Sequence, residues 1–427
     1  MTQAKPNVLL IMTDQHRAGL MTCAGNDLVP TPNIDRIARR GVRFDAAYCP
    51  YPVCLASRSA MLTGLYPHHT GAIDNDDRLD WRYRTIAHHF AEAGYLTALI
   101  GKMHYNDAHN HGFAYYLTIN DWLMYLGPKV RHYADEIASH QLSEHFYRTV
   151  FDTGAGFPDV SDLWDGPSPW VGQVRRYPFT SVTSRLAAED HLDAFIARES
   201  RKYMARYRDQ PFFLVASLMK PHTPFFPPHP WSELYPIDEM ELPPVGDLSG
   251  YPPHVQRRVQ NIQRVGPQAL RAQRAGYMGN LAFADACIGQ IYDALHELGL
   301  AENTIVVYTS DHGEMLGDHG LYQKFCLFEG AVRVPLIVSH PGRLPEGRVT
   351  DAFTELIGLY PTLAELAGLV PPTRTTQATA VDLPGAPDSL DAASFAEIAR
   401  HPEREGPPTV FCEYNLRALD PRYMIRT

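Results

Sequence analysis

An α/β fold with a large, mostly parallel sheet flanked by helices is what the sequence predicts, and three observations predict it. Short apolar runs bounded by turn residues recur along the chain, helical patterns fall between them, and the runs are followed by turns rich in Asp, Lys and His. Runs that are apolar on both faces mark strands covered from either side. Their alternation with helices is the pattern of a doubly covered sheet.

The elements follow in order. Asn7 to Thr13 opens as a buried strand and Asn33 to Arg40 reads as its first helix; Arg84 to Ala93 is helical and leads into a strand at Tyr95 to Ile100. The helix Ser184 to Tyr207 precedes a strand at Phe212 to Leu218, and the long helix Gln268 to Leu298 precedes one at Thr304 to Thr309; Val334 to Ser339 is the last of the set. Two stretches break the alternation. Residues 105 to 180 carry Tyr115, Tyr116, Trp122, Trp164 and Trp170, and Pro224 to Pro253 is crowded with proline, so both read as long insertions at the rim. Pro371 to Pro387 reads as a linker or surface loop, which divides the chain into a main domain, residues 1–370, and a C-terminal piece, residues 371–427.

The chain has 427 residues, 45% hydrophobic and 20% charged, with a net charge of −10. That length buries a sizeable core, and the acidic balance argues against nucleic acid while allowing a small anion in a local basic pocket. Val8 to Met12 is far shorter than the roughly 20 residues that span a bilayer and lacks the features of a secretory signal. Six scattered cysteines, Cys23, Cys49, Cys54, Cys287, Cys326 and Cys412, with no CxxC pair, suggest reduced thiols. The expectation is a cytoplasmic protein with no membrane partner.

Ligands in such sheets sit beyond the carboxyl ends of the strands. There the sequence places Asp14-Gln15, Lys102-Met103-His104, Lys220-Pro221-His222 and Asp311-His312. One polar turn is ordinary loop chemistry; several strand ends delivering such residues to one rim are not. Cys54 stands just before an expected helix start, where unsatisfied N–H groups lower a thiol's pKa and favour oxyanions. Arg58 would add donors matched to sulfate or phosphate. A small buried cysteine with a surface arginine is the plain alternative.

Cys54-Leu55-Ala56-Ser57-Arg58 followed by Met61-Leu62-Thr63-Gly64, after Asn7-Val8-Leu9-Leu10-Ile11-Met12-Thr13-Asp14-Gln15, resembles the formylglycine-dependent sulfatases of the alkaline phosphatase superfamily. The likeness continues through Gly101-Lys102-Met103-His104, Lys220-Pro221-His222, Ser310-Asp311-His312-Gly313 and Arg333-Val334-Pro335-Leu336, in order over nearly the whole chain. The resemblance implies an alkaline-phosphatase-like sandwich with the start of a small C-terminal α+β subdomain. It implies that a formylglycine-generating enzyme converts Cys54 to 3-oxoalanine, whose hydrated aldehyde attacks sulfur with one hydroxyl and expels sulfate with the other. It implies a divalent metal held by Asp14, Gln15, Cys54, Asp311 and His312, calcium first and manganese as the alternative, with a hydrogen bond short of the metal as the other reading of His312. By the same carry-over, Arg58 orients the diol, Lys102 and Lys324 contact sulfate and the leaving oxygen, His104 deprotonates the diol, and His222 is the candidate general acid. Asn75 either donates to a sulfate oxygen or is a turn residue. His68, His69, His88, His89, His109 and His111 are expected to be structural or solvent-facing.

Two departures stand out. The motif's usual proline is Ala56, which lacks the fixed φ that an extended recognition segment favours. The chain stops at Arg422-Tyr423-Met424-Ile425-Arg426-Thr427, like the opening strand of a C-terminal sheet: either the sequence is cut short there, or most of that subdomain is lost, and a missing wall would then widen the pocket or leave it to a partner subunit of a homo-oligomer. The expected substrate is a small alkyl or carbohydrate sulfate, with choline-sulfatase-like enzymes similar in the opening and the Gly101 to His104 turn. The rivals are a phosphonate monoester hydrolase or phosphodiesterase of the same superfamily and a non-catalytic binder of sulfated ligands with unmodified Cys54. Lys102 with His104 favours sulfate over the first; the retained Asp14, Arg58, His222 and Asp311 speak against the second.

Overall fold

In the computed structural model the described residues are 5–129, 183–415 apart from 185, 371, 373, 378–382 and 384, and 422–427. Among them, twelve strands run in chain order as β1 (Asn7–Asp14), β2 (Gly41–Phe44), β3 (Ala47–Tyr48), β4 (Leu96–Gly101), β5 (Tyr115–Leu117) and β6 (Phe212–Pro221), then β7 (Thr304–Ser310), β8 (Leu336–Ser339), β9 (Arg348–Thr350), β10 (Thr354–Glu355), β11 (Val410–Tyr414) and β12 (Arg422–Arg426). Eight form one sheet in the order β5-β4-β6-β1-β7-β8-β2-β9, and β11 with β12 make a separate antiparallel pair. The five apolar runs read from the sequence are all strands of the large sheet.

The order explains the patterning. β1 lies between β6 and β7, parallel to both, and all of its residues are buried. Val8, Leu10 and Met12 enter the core on one face, while Leu9 and Ile11 enter the core on the other, the period-two alternation of a strand covered twice. The helices Pro32–Arg39, Leu192–Arg206 and Pro267–Glu297 cover that second face, and Cys54–Thr63, Ile86–Glu92 and Leu359–Leu366 cover the first. β8 runs antiparallel to β7 and β2. Between β7 and β8 the chain forms turns, the 3₁₀ segment Asp318–Gly320 and the four-residue helix Glu329–Val332, without the longer helix that usually carries a parallel return.

The aromatic insertion is not rim loop throughout. Tyr115 and Tyr116 lie on β5, the sheet's edge strand, and Trp122 is a core residue of the helix Ile119–Leu126, its indole N–H donating to the Asp190 carbonyl at 2.7 Å. The apolar side of that helix had to be covered, and Leu192–Arg206 covers it. Trp164 and Trp170 lie outside the described residues, as does part of Pro371 to Pro387. The start of the proline-rich stretch is packed down: a side chain at Gly279 of the long helix would meet the Trp231 carbonyl at 2.8 Å and Pro227 at 2.9 Å. Among the described residues no helix is long and apolar enough to cross a membrane.

Parallel pairing puts the ends of β1, β4, β6 and β7 on one rim, with Thr13 beside Ser310 and Gly101 beside Ser217. At Gly101 the chain turns with φ 113°, and a Cβ there would stand 2.0 Å from the Ser217 carbonyl oxygen. Only glycine allows this approach, and it aims the next residue, Lys102, across the rim.

Candidate active site

Cys54 opens the helix Cys54–Thr63, following the extended residue Val53, and is fully buried. The position combines a helix N-terminus with several basic neighbours. Lys324 Nζ donates to Sγ at 3.1 Å, His312 Nε2 lies 3.2 Å from it, and His104 and His222 also hydrogen-bond the sulfur. Burial alone would raise the thiol's pKa, but Lys102, Lys324 and His312 outweigh it and hold the group well below the usual thiol range.

Arg58 lies one turn further along the same helix with its guanidinium out of solvent. It donates from Nε to Asp311 Oδ2 at 2.7 Å, from one terminal nitrogen to Asp14 Oδ2 at 3.2 Å, and from the other to the Lys102 carbonyl at 3.0 Å and Ser217 Oγ at 2.8 Å. One side chain thus ties together the ends of β1, β4, β6 and β7. Lys102 Nζ pairs with the same Asp14 oxygen. Burial pushes Asp14 upward, yet Lys102, His222 and Arg58 hold it below the ordinary carboxylate range, whereas Asp311 is raised by burial and by the charge of Asp14. These contacts consume Oδ2 of both aspartates. Oδ1 of Asp14 faces the sulfur at 3.8 Å, with His312 Nε2 at 3.8 Å and His222 Nε2 at 3.9 Å from it.

The donor set fits a divalent cation. Ligand atoms of Asp14, Cys54, Asp311 and His312 all lie within 4.8 Å of one another. His312 Nδ1 lies 2.9 Å from the Gly313 carbonyl. Burial and Lys324 work to lower its pKa, but Asp311 and Cys54 outweigh them and raise it; loss of the Nε2 proton, with Nδ1 donating to that carbonyl, would turn a lone pair to the cluster, the arrangement of a ligating imidazole. Gln15 borders the cluster: its Oε1 accepts from Lys324 Nζ at 2.9 Å, so it shares that ammonium with Cys54. Gln15 holds a left-handed φ of 70°, pinned by its N–H on Asp311 Oδ1 at 3.1 Å and its carbonyl on the Tyr277 hydroxyl at 2.7 Å.

The remaining residues singled out from sequence fall around this core. His222 turns Nδ1 to the Thr223 carbonyl at 2.6 Å and Nε2 toward Asp14; burial first, then Lys324, lowers its pKa. His104 is lowered to about 4 by burial and Lys102, so it is a neutral base at pH 7. Asn75 is buried, and its side-chain carbonyl accepts the Leu55 N–H at 3.3 Å, capping the first turn that starts at Cys54. His68 and His69 pair instead with Glu413 and Asp391, and His111 pairs with Asp107; Thr85 and His88 form a helix cap. Two residues at the centre were not read from sequence. Ser217 was hidden in an apolar strand, where a polar residue at the strand end is the available signal. Glu314 follows Asp311-His312-Gly313 directly and is fully buried; an acid between that motif and the apolar Met315-Leu316 was the clue.

The sulfatase family model matches residues 6–369. The chain is 32% identical to an arylsulfatase of Clostridium perfringens, over 85% of this chain and 75% of that protein. It is 31% identical to a choline-sulfatase of Rhizobium meliloti, over 86% of this chain and 69% of that protein. In fold it is similar to the phosphonate monoester hydrolase of Agrobacterium radiobacter, with a TM-score of 0.72 over 96% of this chain and 80% of that one, at 23% identity.

Proposed function

Because the chain belongs to the sulfatase family of the alkaline phosphatase superfamily, enzymes that hydrolyse sulfuric esters, we propose that it cleaves a small alkyl or carbohydrate sulfate at Cys54 matured to formylglycine, beside one divalent cation. The observation that supports this reading is the buried Cys54 sulfur with lysine and histidine nitrogens around it, next to a pair of aspartates. Two lysines and an arginine are the charge complement that a sulfate group and two carboxylates require.

Asp14, Gln15, Asp311, His312 and the matured Cys54 would hold the cation, calcium first and manganese as the alternative, and it would supply Lewis-acid polarisation of a sulfate oxygen. Formylglycine, when formed, supplies a hydrated aldehyde as the nucleophile. The other side chains act on position, charge and protons. Arg58 fixes both aspartates and the helix that carries the nucleophile. Lys102 and Lys324 place ammonium groups where sulfate charge gathers, and Asn75 is a further donor candidate beside Leu55. His104, neutral at pH 7, takes a proton from the nucleophile. His222 exchanges a proton with the departing oxygen through Nε2, since Nδ1 is occupied by the Thr223 carbonyl.

Peptide mass analysis of Cys54 from protein made with a formylglycine-generating enzyme tests the first step. The mass loss of thiol-to-aldehyde conversion is expected despite Ala56; an unmodified thiol in an active preparation would overturn the formylglycine reading. A panel of choline sulfate, sugar sulfates, aryl sulfates and phosphonate monoesters tests the substrate. Turnover confined to aryl sulfates would overturn the alkyl or carbohydrate assignment, and phosphonates turned over ahead of every sulfate would favour the rival chemistry.

A further inference from the structure

We infer that Glu314 sets which end of the Gln15 side-chain amide faces the cation site, and so delivers the Gln15 oxygen as a ligand. The inference rests on the reading of Gln15 as a metal ligand.

Glu314 is fully buried, and every hydrogen bond found for its carboxylate comes from a donor. Oε2 accepts from Gln15 Nε2 at 2.5 Å; Oε1 accepts the backbone N–H of Leu316 at 3.0 Å and the N–H of Gln323. The Gln15 amide is therefore held at both ends by groups of opposite polarity, with its oxygen on Lys324 Nζ at 2.9 Å and its nitrogen on the Glu314 carboxylate. Rotating the amide by half a turn would set NH₂ against an ammonium and oxygen against a carboxylate, losing both bonds for two repulsions. A carbonyl oxygen is a ligand for a hard cation and an amide NH₂ is not, so the orientation decides whether Gln15 can ligate. The same carboxylate organises Lys324. Its bond to the Gln323 N–H, with Met315 N–H donating to the Gln323 carbonyl at 2.9 Å, closes the loop that carries the lysine. Glu314 is a positioning residue that acts through Gln15.

The test is calcium binding to the metal-stripped full chain, measured by titration with calcium alone, with Cys54 in the same state in every variant. Glu314→Gln replaces the Oε2 acceptor with NH₂ at nearly unchanged size. It should turn the Gln15 amide around and weaken calcium binding roughly 10–100-fold, the usual range for residues that orient ligands. The double variant Glu314→Gln with Gln15→Glu restores donor to acceptor at the contact and keeps an oxygen toward the cation, so it should regain most of the lost affinity. Because the added carboxylate itself raises affinity, Gln15→Glu alone is the control: beside Glu314 it sets carboxylate against carboxylate, so it should bind calcium more weakly than the double, an order that a residue merely supporting the fold does not predict. Unchanged binding in the single variant, or an uncorrected loss in the double, overturns the inference. If Glu314→Gln alone does not fold, the double is read against Gln15→Glu alone: tighter binding in the double upholds the inference, and equal or weaker binding in a folded double overturns it. Gln15→Ala separates the underlying reading. Unchanged calcium binding there removes Gln15 from the ligand set and the inference with it, whereas weakened binding there with an unaffected Glu314→Gln overturns only the role of Glu314.

Discussion

Arg58→Met is the perturbation whose size can be worked from the structure. It keeps an unbranched, buried stem and removes a guanidinium that is out of solvent and donates to Asp14, Asp311, the Lys102 carbonyl and Ser217. The two aspartates do not suffer equally. Asp14 keeps Lys102 on the same oxygen, while Asp311 loses the only arginine or lysine bonded to it among the described residues, at 2.7 Å. Stranding one member of a buried ion pair costs about 3–5 kcal/mol. One stranded carboxylate therefore sets the scale, not two. Set against a total stability of about 5–15 kcal/mol, the loss should be plain in urea unfolding of the metal-free protein, as a lower midpoint with an unchanged slope. Arg58→Lys should recover only part, because an ammonium cannot bridge both aspartates as the guanidinium fork does. A loss below about 1 kcal/mol, the scale of an exposed pair, would refute the reasoning and mean that Asp311 is already neutral in the folded chain.

Three further outcomes are expected. Cys54→Ala should lower turnover of any accepted sulfate ester by at least roughly 10³-fold, as removal of a nucleophile does; turnover within tenfold of wild type would exclude Cys54 as the nucleophile. His222→Gln should cost roughly 10²–10⁴-fold on alkyl sulfates but far less on aryl sulfates with good leaving groups, and equal losses on both would remove the proton-transfer role. Asp193, whose Oδ1 accepts the N–H groups of Met219 and Lys220, is raised from 3.8 to about 6 by burial. The folded chain thus holds this proton more tightly than the unfolded one, a stabilisation of about 3 kcal/mol that is complete below pH 3.8 and lost as pH rises through about 6. Asp193→Asn should flatten the fall in urea stability across that window, and an unchanged pH profile would show that Asp193 does not carry it.

What could be read from sequence follows from burial. β1, β4, β6, β7 and β8 are almost wholly buried, so their middles are mostly apolar on both faces and their limits fall within a few positions of those expected. β5 and β9 are three-residue edge strands with mostly exposed side chains, and β3 and β10 span two residues each; no periodicity can register at that length. The rim motifs were legible because strand order sets them side by side whatever the loops do. Gln15's link to Glu314 was not, because it joins residues 299 positions apart through the orientation of one amide. Likewise, Trp122 looked like rim material because aromatic composition does not say whether a helix beneath it needs covering.

The charge bookkeeping around Arg58 also bears on how the site can be handled. Asp14 and Asp311 meet Lys102 and Arg58 inside the protein, so two anions face two cations before any ion arrives. Many small metal-binding domains fold only around their metal; here the two carboxylates already have cationic partners from the scaffold. On the reading of a bound divalent cation, a chelator is then expected to empty the site while the chain stays folded, with circular dichroism unchanged as activity falls, and unfolding on chelation would overturn this.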